Sequence, residues 1–312
     1  MTAMNSIIED LNRKYIARAP HMRDIGVSVT ALEQSRGSMR MPARADWLGD
    51  PERGLLHPGA LTVLADSACG LAVGAALGRP MPYATLDLRM DYLRPATPTL
   101  DLHCDAECYR LTRNIAFVRA SVWQDSKQQA VASAQATFML STAPGTRPTQ
   151  PGGVARPVGD IPLQASDTET WTAPHASEPV MPEQPIPYAQ YLGIRVAPSD
   201  RQPLFRLPYQ EKLIGNPRLP ALHGGVIAGF SETAAILHLA QVLRGKKLPK
   251  GIDFSIDYLR SGRPEETFAS CELVRVGSRI ATVQIRCWQS DPDRPIAISR
   301  AHFLLAEPDG GA

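Results

Sequence analysis

The 312-residue sequence predicts an α+β fold made of two tandem copies of one unit, in which an antiparallel sheet wraps a central helix. Three observations lead to this prediction. Motifs recur at a fixed separation along the chain, each copy has one helix that is apolar on nearly all sides, and four strand-like runs follow that helix. Each copy is therefore expected to be a β-α-β-β-β-β unit.

The repeat is visible in pairs of motifs that are 166 positions apart. The stretch HPGALTVLAD at residues 57–66 corresponds to HGGVIAGFSE at residues 223–232, and the tripeptide Tyr-Leu-Arg at 92–94 returns at 258–260. Later pairs are 165 apart, so one residue of slippage separates the ends of the two copies. Agreement at this many positions indicates a tandem duplication.

The domain boundaries follow from composition. The chain is long enough for two domains that each bury a core. Residues 141–187 are rich in proline, with Gly, Ser, Thr and Gln, and lack apolar periodicity, which is typical of a linker. We therefore expect an N-terminal domain at 1–140 and a C-terminal domain at 188–312.

Composition also limits the partners that we expect. The net charge is +2 and no block of like charges occurs, so neither a nucleic acid nor a membrane is an expected partner. The five cysteines lie in apolar segments without metal-ligand spacing, which favours reduced core residues. The N-terminus lacks the apolar core of a signal peptide, and we find no run of roughly 18 apolar residues that would span a membrane. The expectation is a soluble, cytoplasmic protein.

The elements of each copy can be placed in order. The first strand opens at Ile25-Gly26-Val27 in one copy and at Leu192-Gly193-Ile194 in the other. A loop with Gly and Pro leads to the helix, whose apolar residues leave almost no polar face, so it must be buried on most sides. The strand-like runs of the first copy are 85–93, 100–110, 115–123 and 130–140. Turn residues separate the last three, which predicts an antiparallel meander.

This arrangement resembles the hotdog fold, in a double form with two copies in one chain. The motif His-Gly-Gly, followed by an acid nine residues after the histidine and then by a Tyr-Leu-Arg strand, is similar to that of PaaI-like hotdog acyl-CoA thioesterases of the 4HBT superfamily. The resemblance covers both halves apart from the linker and the first residues. It implies hydrolysis of an acyl-CoA to free CoA and a carboxylic acid, without a metal or a bound cofactor.

Asp66 and Glu232 each place a carboxylate in an apolar helix. Burying a carboxylate is costly unless it is paired, protonated or used. One interpretation is that these acids cap a neighbouring group or reach solvent, and the other is that they act in thioester hydrolysis. For Asp66 we favour the second, because its neighbours offer no cation. Glu232 lies beside Ser231 and Thr233 and is easier to satisfy locally.

The glycines after the histidine suggest an oxyanion site. Unpaired N–H groups at a helix N-terminus stabilise developing negative charge. The resemblance implies that the N–H of Gly224 polarises the thioester oxygen, whereas the first copy has Pro58 there, which has no N–H. Gly224 and Glu232 are about 12 Å apart along one helix, so the acid beside Gly224 must come from the antiparallel helix of the other copy. Gly224 is thus expected to share a site with Asp66.

The resemblance assigns further residues. A hydroxyl residue is expected at Thr85, where the second copy has Gly251, and an asparagine at Asn216, where the first copy has Asp50. The predicted active site comprises Asp66, Gly224, Thr85, Asn216 and His223. Its degenerate counterpart comprises His57, Pro58, Gly59, Glu232 and Gly251. One working site per chain is therefore expected.

Substrate-binding roles are predicted for Gly225, and for Arg94 and Arg260, which could reach the phosphates of CoA. His57 and His223 have two interpretations, a hydrogen bond to backbone at the helix entrance or a role in proton transfer. Two other functions stay open, namely a non-catalytic acyl-CoA-binding protein and a hotdog enoyl-CoA hydratase or dehydratase. The Asp-x-Asn-x-x-His run of those hydratases is absent from the sequence. The chain could also form a homodimer through sheet edges or faces.

Overall fold

The computed structural model of this chain describes residues 2–140, 186–197, 203–216, 220–244 and 248–306. The predicted linker at 141–187 lies almost entirely outside the described residues, so its extent and the two domain boundaries stay predictions. The described part of the second half begins with a short helix at Pro187.

Five α-helices and sixteen strands form the described residues, apart from short 3-10 turns. The helices are α1 (Thr2–Lys14), α2 (Pro20–Asp24), α3 (Pro58–Leu77), α4 (Pro187–Leu192) and α5 (Gly224–Leu243). The strands of the first half are β1 (Ser28–Glu33), β2 (Arg36–Met41), β3 (Leu48–Asp50), β4 (Leu55–Leu56), β5 (Tyr83–Tyr92), β6 (Leu102–Leu111), β7 (Ile115–Trp123) and β8 (Ala132–Leu140). Those of the second half are β9 (Arg195–Ala197), β10 (Leu204–Leu207), β11 (Ile214–Asn216), β12 (Ala221–Leu222), β13 (Leu248–Tyr258), β14 (Thr267–Val276), β15 (Ile280–Trp288) and β16 (Ala297–Ala306).

One continuous sheet runs through both halves. Its twelve strands have the order β1-β2-β6-β7-β8-β5-β13-β16-β15-β14-β10-β9. Strands β5 and β13 pair antiparallel at the centre, with Asp87 opposite Asp257 and Asp91 opposite Asp253. The order on one side of this junction mirrors the order on the other, so the two halves are related by an approximate two-fold axis.

The fold confirms the predicted α+β class with two tandem units, each of which wraps a sheet around a central helix. The meander of β6, β7 and β8 is also as predicted. The structure adds one strand per unit to the main sheet, because two paired strands precede each helix, β1 with β2 and β9 with β10, where one strand was expected. Each unit also has a separate pair of short strands, β3 with β4 and β11 with β12. The turn between β1 and β2 contains Ser35 at φ 64°. A serine in this left-handed conformation gives none of the glycine or proline signal by which turns are usually recognised.

The two central helices are each 20 residues long and pack closely side by side. A Cβ atom added to Gly59 would lie 3.0 Å from the Cα atom of Gly229, and one added to Gly225 would lie 2.7 Å from the Cα atom of Val63. Residue numbers rise along α3 as they fall along α5, so the helices are antiparallel. Glycine at these contacts lets the N-terminus of each helix approach the middle of the other.

Both central helices are long and apolar enough to cross a membrane, judged by length and composition over the described residues. The expectation that no segment reaches this threshold was therefore wrong. About two thirds or more of each helix is buried inside the protein (67% and 72%), as in the core helix of a globular domain. All five cysteines are free and buried, as predicted for core residues.

Candidate active site

Asp66 lies in the middle of α3 and faces the N-terminus of α5. Its carboxylate accepts two hydrogen bonds, one from the backbone N–H of Gly225 at 2.9 Å and one from the Thr85 hydroxyl at 3.1 Å. Gly225 is the second residue of α5, so its N–H has no partner within the helix. The two halves therefore meet at this carboxylate, and we call Asp66, Thr85, His223, Gly224 and Gly225 the Asp66 site.

Gly224 borders the same carboxylate. A Cβ atom at Gly224 would lie 3.0 Å from Oδ2 of Asp66, so a larger residue would press on it. The carbonyl of Gly224 accepts a hydrogen bond of 2.8 Å from the Tyr258 hydroxyl, which fixes the orientation of the first peptide of α5. Sequence reasoning placed Gly224 beside Asp66, but the amide that donates to Asp66 in the structure belongs to the next residue, Gly225.

His223 is the N-cap of α5. Its Nδ1 atom accepts a hydrogen bond of 3.0 Å from the Gly225 N–H, so the ring proton lies on Nε2, which is 3.3 Å from the Ser67 hydroxyl. The same Nδ1 atom is 3.5 Å from Oδ2 of Asp66. Burial lowers the pKa of His223, and the nearby Asp66 carboxylate partly opposes that shift. The histidine is thus a neutral cap whose second nitrogen joins the two helices.

His57 occupies the equivalent position on α3. Its Nδ1 atom accepts a hydrogen bond of 3.0 Å from the Gly59 N–H, and its Nε2 atom is 3.4 Å from the Thr233 hydroxyl. Burial lowers the pKa of His57 to about 3. Both histidines therefore accept a hydrogen bond from the backbone at the start of their helix, which confirms the structural interpretation made from the sequence.

Glu232 marks the second, pseudo-symmetric position, and its surroundings differ. Its carboxyl group is 1% exposed and accepts a hydrogen bond of 2.9 Å from the Tyr92 hydroxyl. Burial raises the pKa of Glu232 to about 8, although the bond from Tyr92 lowers it. At neutral pH this acid is therefore mainly protonated. We call Glu232, Tyr92, His57, Pro58 and Gly59 the Glu232 site.

The difference between the two acids has a structural cause. At the start of α3, Pro58 has no N–H, and the N–H of Gly59 donates to His57 rather than to Glu232. Gly251 stands where the first half has Thr85, and a Cβ atom there would lie 3.2 Å from the Tyr92 ring. The donors that surround Asp66 thus have no counterpart at these positions of the Glu232 site.

One detail of the sequence-based interpretation was wrong and one role was missed. Ser231 and Thr233 do not satisfy Glu232, because Ser231 pairs with Cys287 and Ser299 while Thr233 donates to the Gly229 carbonyl. The tyrosines of the Tyr-Leu-Arg strands were recognised only as part of the repeat and of the family motif. In the structure their hydroxyls bind Glu232 in one half and Gly224 in the other.

Sequence reasoning also missed His21, in the short helix α2. Its ring packs against that of His223 with centroids 5.2 Å apart, and its Nδ1 atom donates to the Lys212 carbonyl at 3.0 Å. Its Nε2 atom is buried and has no hydrogen-bond partner in the described part of the chain. Burial, and then the nearby His223, lower the pKa of His21 well below its usual value.

The repeat could have revealed His21. Its counterpart, 167 positions later, is Tyr188, and each follows a proline at the start of a short helix. Tyr188 stacks on His57 with ring centroids 4.5 Å apart, as His21 packs against His223. The Tyr188 hydroxyl is so close to Gly229 that an added Cβ atom would lie 2.4 Å from it.

Three predicted residues lie away from this cluster. Asn216 is exposed at the end of β11, and it is the preceding residue, Gly215, that lines the cavity beside Asp66. Arg94 is exposed and donates to the Gln129 side chain at 3.1 Å. Arg260 is exposed and donates to the Pro295 carbonyl at 2.6 Å. Their predicted roles in holding water or CoA stay predictions.

A cavity of about 120 Å³ opens beside the Asp66 carboxylate. Its polar end is formed by Asp66, Ser67, Thr85, Gly215 and His223. We call it the Asp66 cavity. Within the described ranges, no group of three or more His, Cys, Asp or Glu side chains is arranged to hold a metal ion.

The sequence matches the thioesterase superfamily in two segments, residues 53–131 and 219–296, which together cover just over half of the chain. The chain therefore belongs to the thioesterase superfamily. Each segment contains one central helix and its acid, so the family match falls on both copies of the repeat. The predicted class of thioester hydrolase is confirmed at the level of the family.

Individual relatives cover parts of the chain. A Halobacterium salinarum protein whose name suggests an esterase is 36% identical over 101 residues, which make up 31% of this chain and 66% of that protein. The medium/long-chain acyl-CoA thioesterase YigI of Escherichia coli is 29% identical over 135 residues, 38% of this chain and 86% of YigI.

Solved structures match the chain over about nine tenths of its length. A hot dog fold protein from Alicyclobacillus acidocaldarius covers 90% of this chain and 97% of its own, with 14% identity and a TM-score of 0.58. The acyl-CoA thioesterase II TesB2 of Mycobacterium marinum covers 91% and 97%, with 14% identity and a TM-score of 0.53. At this level of identity the similarity establishes the double hotdog fold.

Proposed function

We propose that this protein hydrolyses an acyl-CoA thioester to free CoA and a carboxylic acid, at one composite site between the two repeats. The observation that carries this proposal is the Asp66 carboxylate of α3, held by the N–H of Gly225 at the start of α5. Family membership and the name of the relative YigI support the thioester as the substrate class.

In the proposed mechanism the thioester carbonyl lies beside the N-terminus of α5. The N–H of Gly224, the first residue of the helix, donates to the carbonyl oxygen and stabilises the negative charge that develops there. Asp66 removes a proton from water as the water oxygen attacks the carbonyl carbon; the C–S bond then breaks, and the proton held by Asp66 passes to the sulfur of CoA. In the alternative, Asp66 attacks the carbon as nucleophile and the C–S bond breaks to leave CoA thiolate and a mixed anhydride, which water hydrolyses to the carboxylic acid and free Asp66 while the thiolate takes up the released proton.

Thr85 and His223 act on Asp66 rather than on the substrate. The Thr85 hydroxyl donates to Oδ1 and so fixes the rotation of the carboxylate, which leaves Oδ2 toward α5. The neutral His223 accepts the Gly225 N–H on Nδ1, 3.5 Å from Oδ2, and so helps to hold that N–H beside the carboxylate.

We propose that the Glu232 site is not a second catalytic site. A mainly protonated acid is a poor base. Pro58 cannot supply the N–H that Gly224 offers at the other site. Exposed Arg94 and Arg260 are candidates for binding the phosphates of CoA, by ion pairing with anionic oxygens.

One experiment distinguishes thioester hydrolysis from the two alternatives, an acyl-CoA-binding protein and an enoyl-CoA hydratase. The purified protein is incubated with a panel of acyl-CoA esters and a reagent that detects free thiol. Release of thiol in proportion to protein supports hydrolysis. Binding of the esters without thiol release would instead support an acyl-CoA-binding protein, and hydration of an enoyl-CoA would support a hydratase; either result would overturn the proposal.

A further inference from the structure

Tyr258 and Tyr92 hold equivalent positions in the two copies of the repeat, but their hydroxyls have different partners. The Tyr92 hydroxyl donates to the carboxyl group of Glu232 at 2.9 Å. The Tyr258 hydroxyl donates instead to a backbone carbonyl, that of Gly224 at the start of α5, at 2.8 Å. The second of these contacts adjoins the Asp66 site.

One difference between the two central helices explains the different partners. In α3, the Thr62 hydroxyl donates at 3.2 Å to the carbonyl of Pro58, which is the counterpart of Gly224. The same hydroxyl contacts that of Tyr92 at 2.9 Å. The position in α5 that is equivalent to Thr62 is Ala228, which has no hydroxyl. The carbonyl at the start of α5 is therefore left for the tyrosine.

The carbonyl of Gly224 and the N–H of Gly225 belong to one peptide group. That N–H donates to Oδ2 of Asp66 at 2.9 Å and is also 3.0 Å from Nδ1 of His223. A chain of hydrogen bonds thus runs from the Tyr258 hydroxyl through a single peptide to the Asp66 carboxylate. Because the bonds of such a chain polarise one another, donation to the carbonyl strengthens donation from the N–H.

Tyr258 is suited to donate in this chain. Burial, then the Asp66 carboxylate and then the Cys287 thiol raise the pKa of Tyr258 well above its ordinary value, so the hydroxyl keeps its proton. A Cβ atom added to Gly224 would lie 3.5 Å from the Tyr258 hydroxyl and 3.0 Å from Oδ2 of Asp66. The missing side chain of Gly224 therefore lets both groups lie close to the same peptide, which is held from its two ends.

We propose that Tyr258 is a positioning residue for hydrolysis, which acts on the Asp66 carboxylate through the Gly224–Gly225 peptide, and that Tyr92 has no such role. The inference rests on the proposed function and adds a residue to it. The tyrosine of the Tyr-Leu-Arg motif then has a different task in each half. In one half it holds the working carboxylate through the backbone, and in the other it binds the neutral acid directly.

Kinetics on Tyr258→Phe and Tyr92→Phe test the proposal with matched variants, since each loses one hydroxyl at the equivalent position. Loss of one neutral hydrogen bond corresponds to a change of about 3- to 10-fold, so kcat of Tyr258→Phe should fall by that factor. KM should stay within about twofold of the wild type, because the lost bond acts on Asp66 and not on the substrate. Tyr92→Phe should keep both kcat and KM within about twofold.

An NMR measurement on the peptide itself shows whether Tyr258 acts through it. Three Gly-Gly pairs occur in the sequence, at 152–153, 224–225 and 310–311. Protein labelled with glycine that carries ¹³C in the carbonyl and ¹⁵N in the amide group therefore gives three signals in a carbonyl-to-amide correlation spectrum, and Gly224→Ala identifies the signal of 224–225 by removing it. In Tyr258→Phe, both the carbonyl ¹³C and the amide ¹H of this signal should move upfield, as expected when both hydrogen bonds weaken. Tyr92→Phe should leave the signal in place.

The outcomes separate this inference from the proposed function. A signal that does not move in Tyr258→Phe, or a kcat that does not fall, would overturn the role of Tyr258 and leave hydrolysis standing. Equal losses of kcat in Tyr258→Phe and Tyr92→Phe would overturn it as well, because the effect would not depend on the contact with Gly224. An absence of thiol release by the wild type from every ester would overturn the proposed function and this inference together.

Discussion

The backbone amide of Gly225 donates a hydrogen bond of 2.9 Å to the carboxylate of Asp66, a residue 159 positions earlier in the chain. This contact exists because α3 and α5 cross where glycines allow their backbones to approach, so that the first turn of one helix reaches the middle of the other. Oriented N–H groups at a helix N-terminus suit an anion. The duplication thus supplies, within one chain, both a carboxylate and the donors that hold it.

The hydroxyl of Thr85 should matter for turnover. Thr85→Val keeps the shape of the side chain but removes the hydrogen bond to Oδ1 of Asp66. A hydrogen bond to a charged group contributes about 1.5–3 kcal/mol, so kcat should fall by about 10- to 100-fold if the bond positions the carboxylate. Steady-state kinetics with the best ester of the panel measure this. Thr85→Ser restores the hydroxyl and should recover most of the rate; equal losses from both variants would argue against a role for the hydroxyl.

The two glycines at the start of α5 should have separable effects. In Gly224→Ala the new methyl group lies 3.0 Å from the Asp66 carboxylate, so activity should fall at least about tenfold through displacement of that group. In Gly225→Ala it lies 2.7 Å from the Cα atom of Val63, so the helices must separate. We expect a loss of about 1–3 kcal/mol in the free energy of unfolding for that variant.

Thermal or urea unfolding, measured beside kinetics, distinguishes these two effects. Gly224→Ala should unfold within about 0.5 kcal/mol of the wild type, because its methyl group meets a side chain rather than backbone. A large loss of stability in Gly224→Ala with normal kinetics would show that the assignment of the two glycines is reversed.

Glu232 should make stability depend on pH. Burial raises the pKa of Glu232 from its ordinary value of 4.5 to about 8, so the folded protein binds one more proton than the unfolded chain between these pH values. Its contribution to stability is therefore fully present below about pH 4.5 and is lost as the pH rises toward 8, by at most about 1.4 kcal/mol per pH unit.

Urea unfolding of wild type and Glu232→Gln at pH 5, 6, 7 and 8 tests this dependence. Glutamine resembles the protonated acid, so the variant should lose less stability across the series. Tyr92→Phe removes a hydrogen bond that lowers the pKa of folded Glu232, so the loss of stability should continue to higher pH than in the wild type. Parallel stability curves for wild type and Glu232→Gln would show that Glu232 does not titrate in this window.

Most of the fold and of the candidate site that could be predicted from the sequence was predicted from the repeat. Equal spacing of His57 with His223 and of Asp66 with Glu232, together with the resemblance to hotdog thioesterases, predicted two antiparallel helices and an acid that crosses between the halves. Helix geometry alone excludes an acid from the same helix. The sequence does not predict the rotation of α5 about its own axis. That rotation decides that Gly225 rather than Gly224 donates to Asp66.

Other features depended on contacts that are distant in the chain. Tyr92 reaches Glu232 across 140 positions, and His21 reaches the carbonyl of Lys212 across 191. Neither pair has a local sequence pattern. A comparison of equivalent positions in the two copies could have revealed His21 and its counterpart Tyr188, whereas the lining of the Asp66 cavity by Tyr15 and Tyr83 follows only from packing.

The central claim is that catalysis uses the carboxylate of Asp66 and not that of Glu232, and one matched pair of substitutions tests it most directly. Values of kcat are measured for Asp66→Asn and Glu232→Gln on the same acyl-CoA, with both variants confirmed as folded. We expect Asp66→Asn to lower kcat at least about 100-fold, as for loss of a general base or nucleophile, and Glu232→Gln to stay within about threefold of the wild type, since glutamine matches the neutral acid in shape. Similar losses from the two substitutions, or a larger loss from Glu232→Gln, would contradict the account.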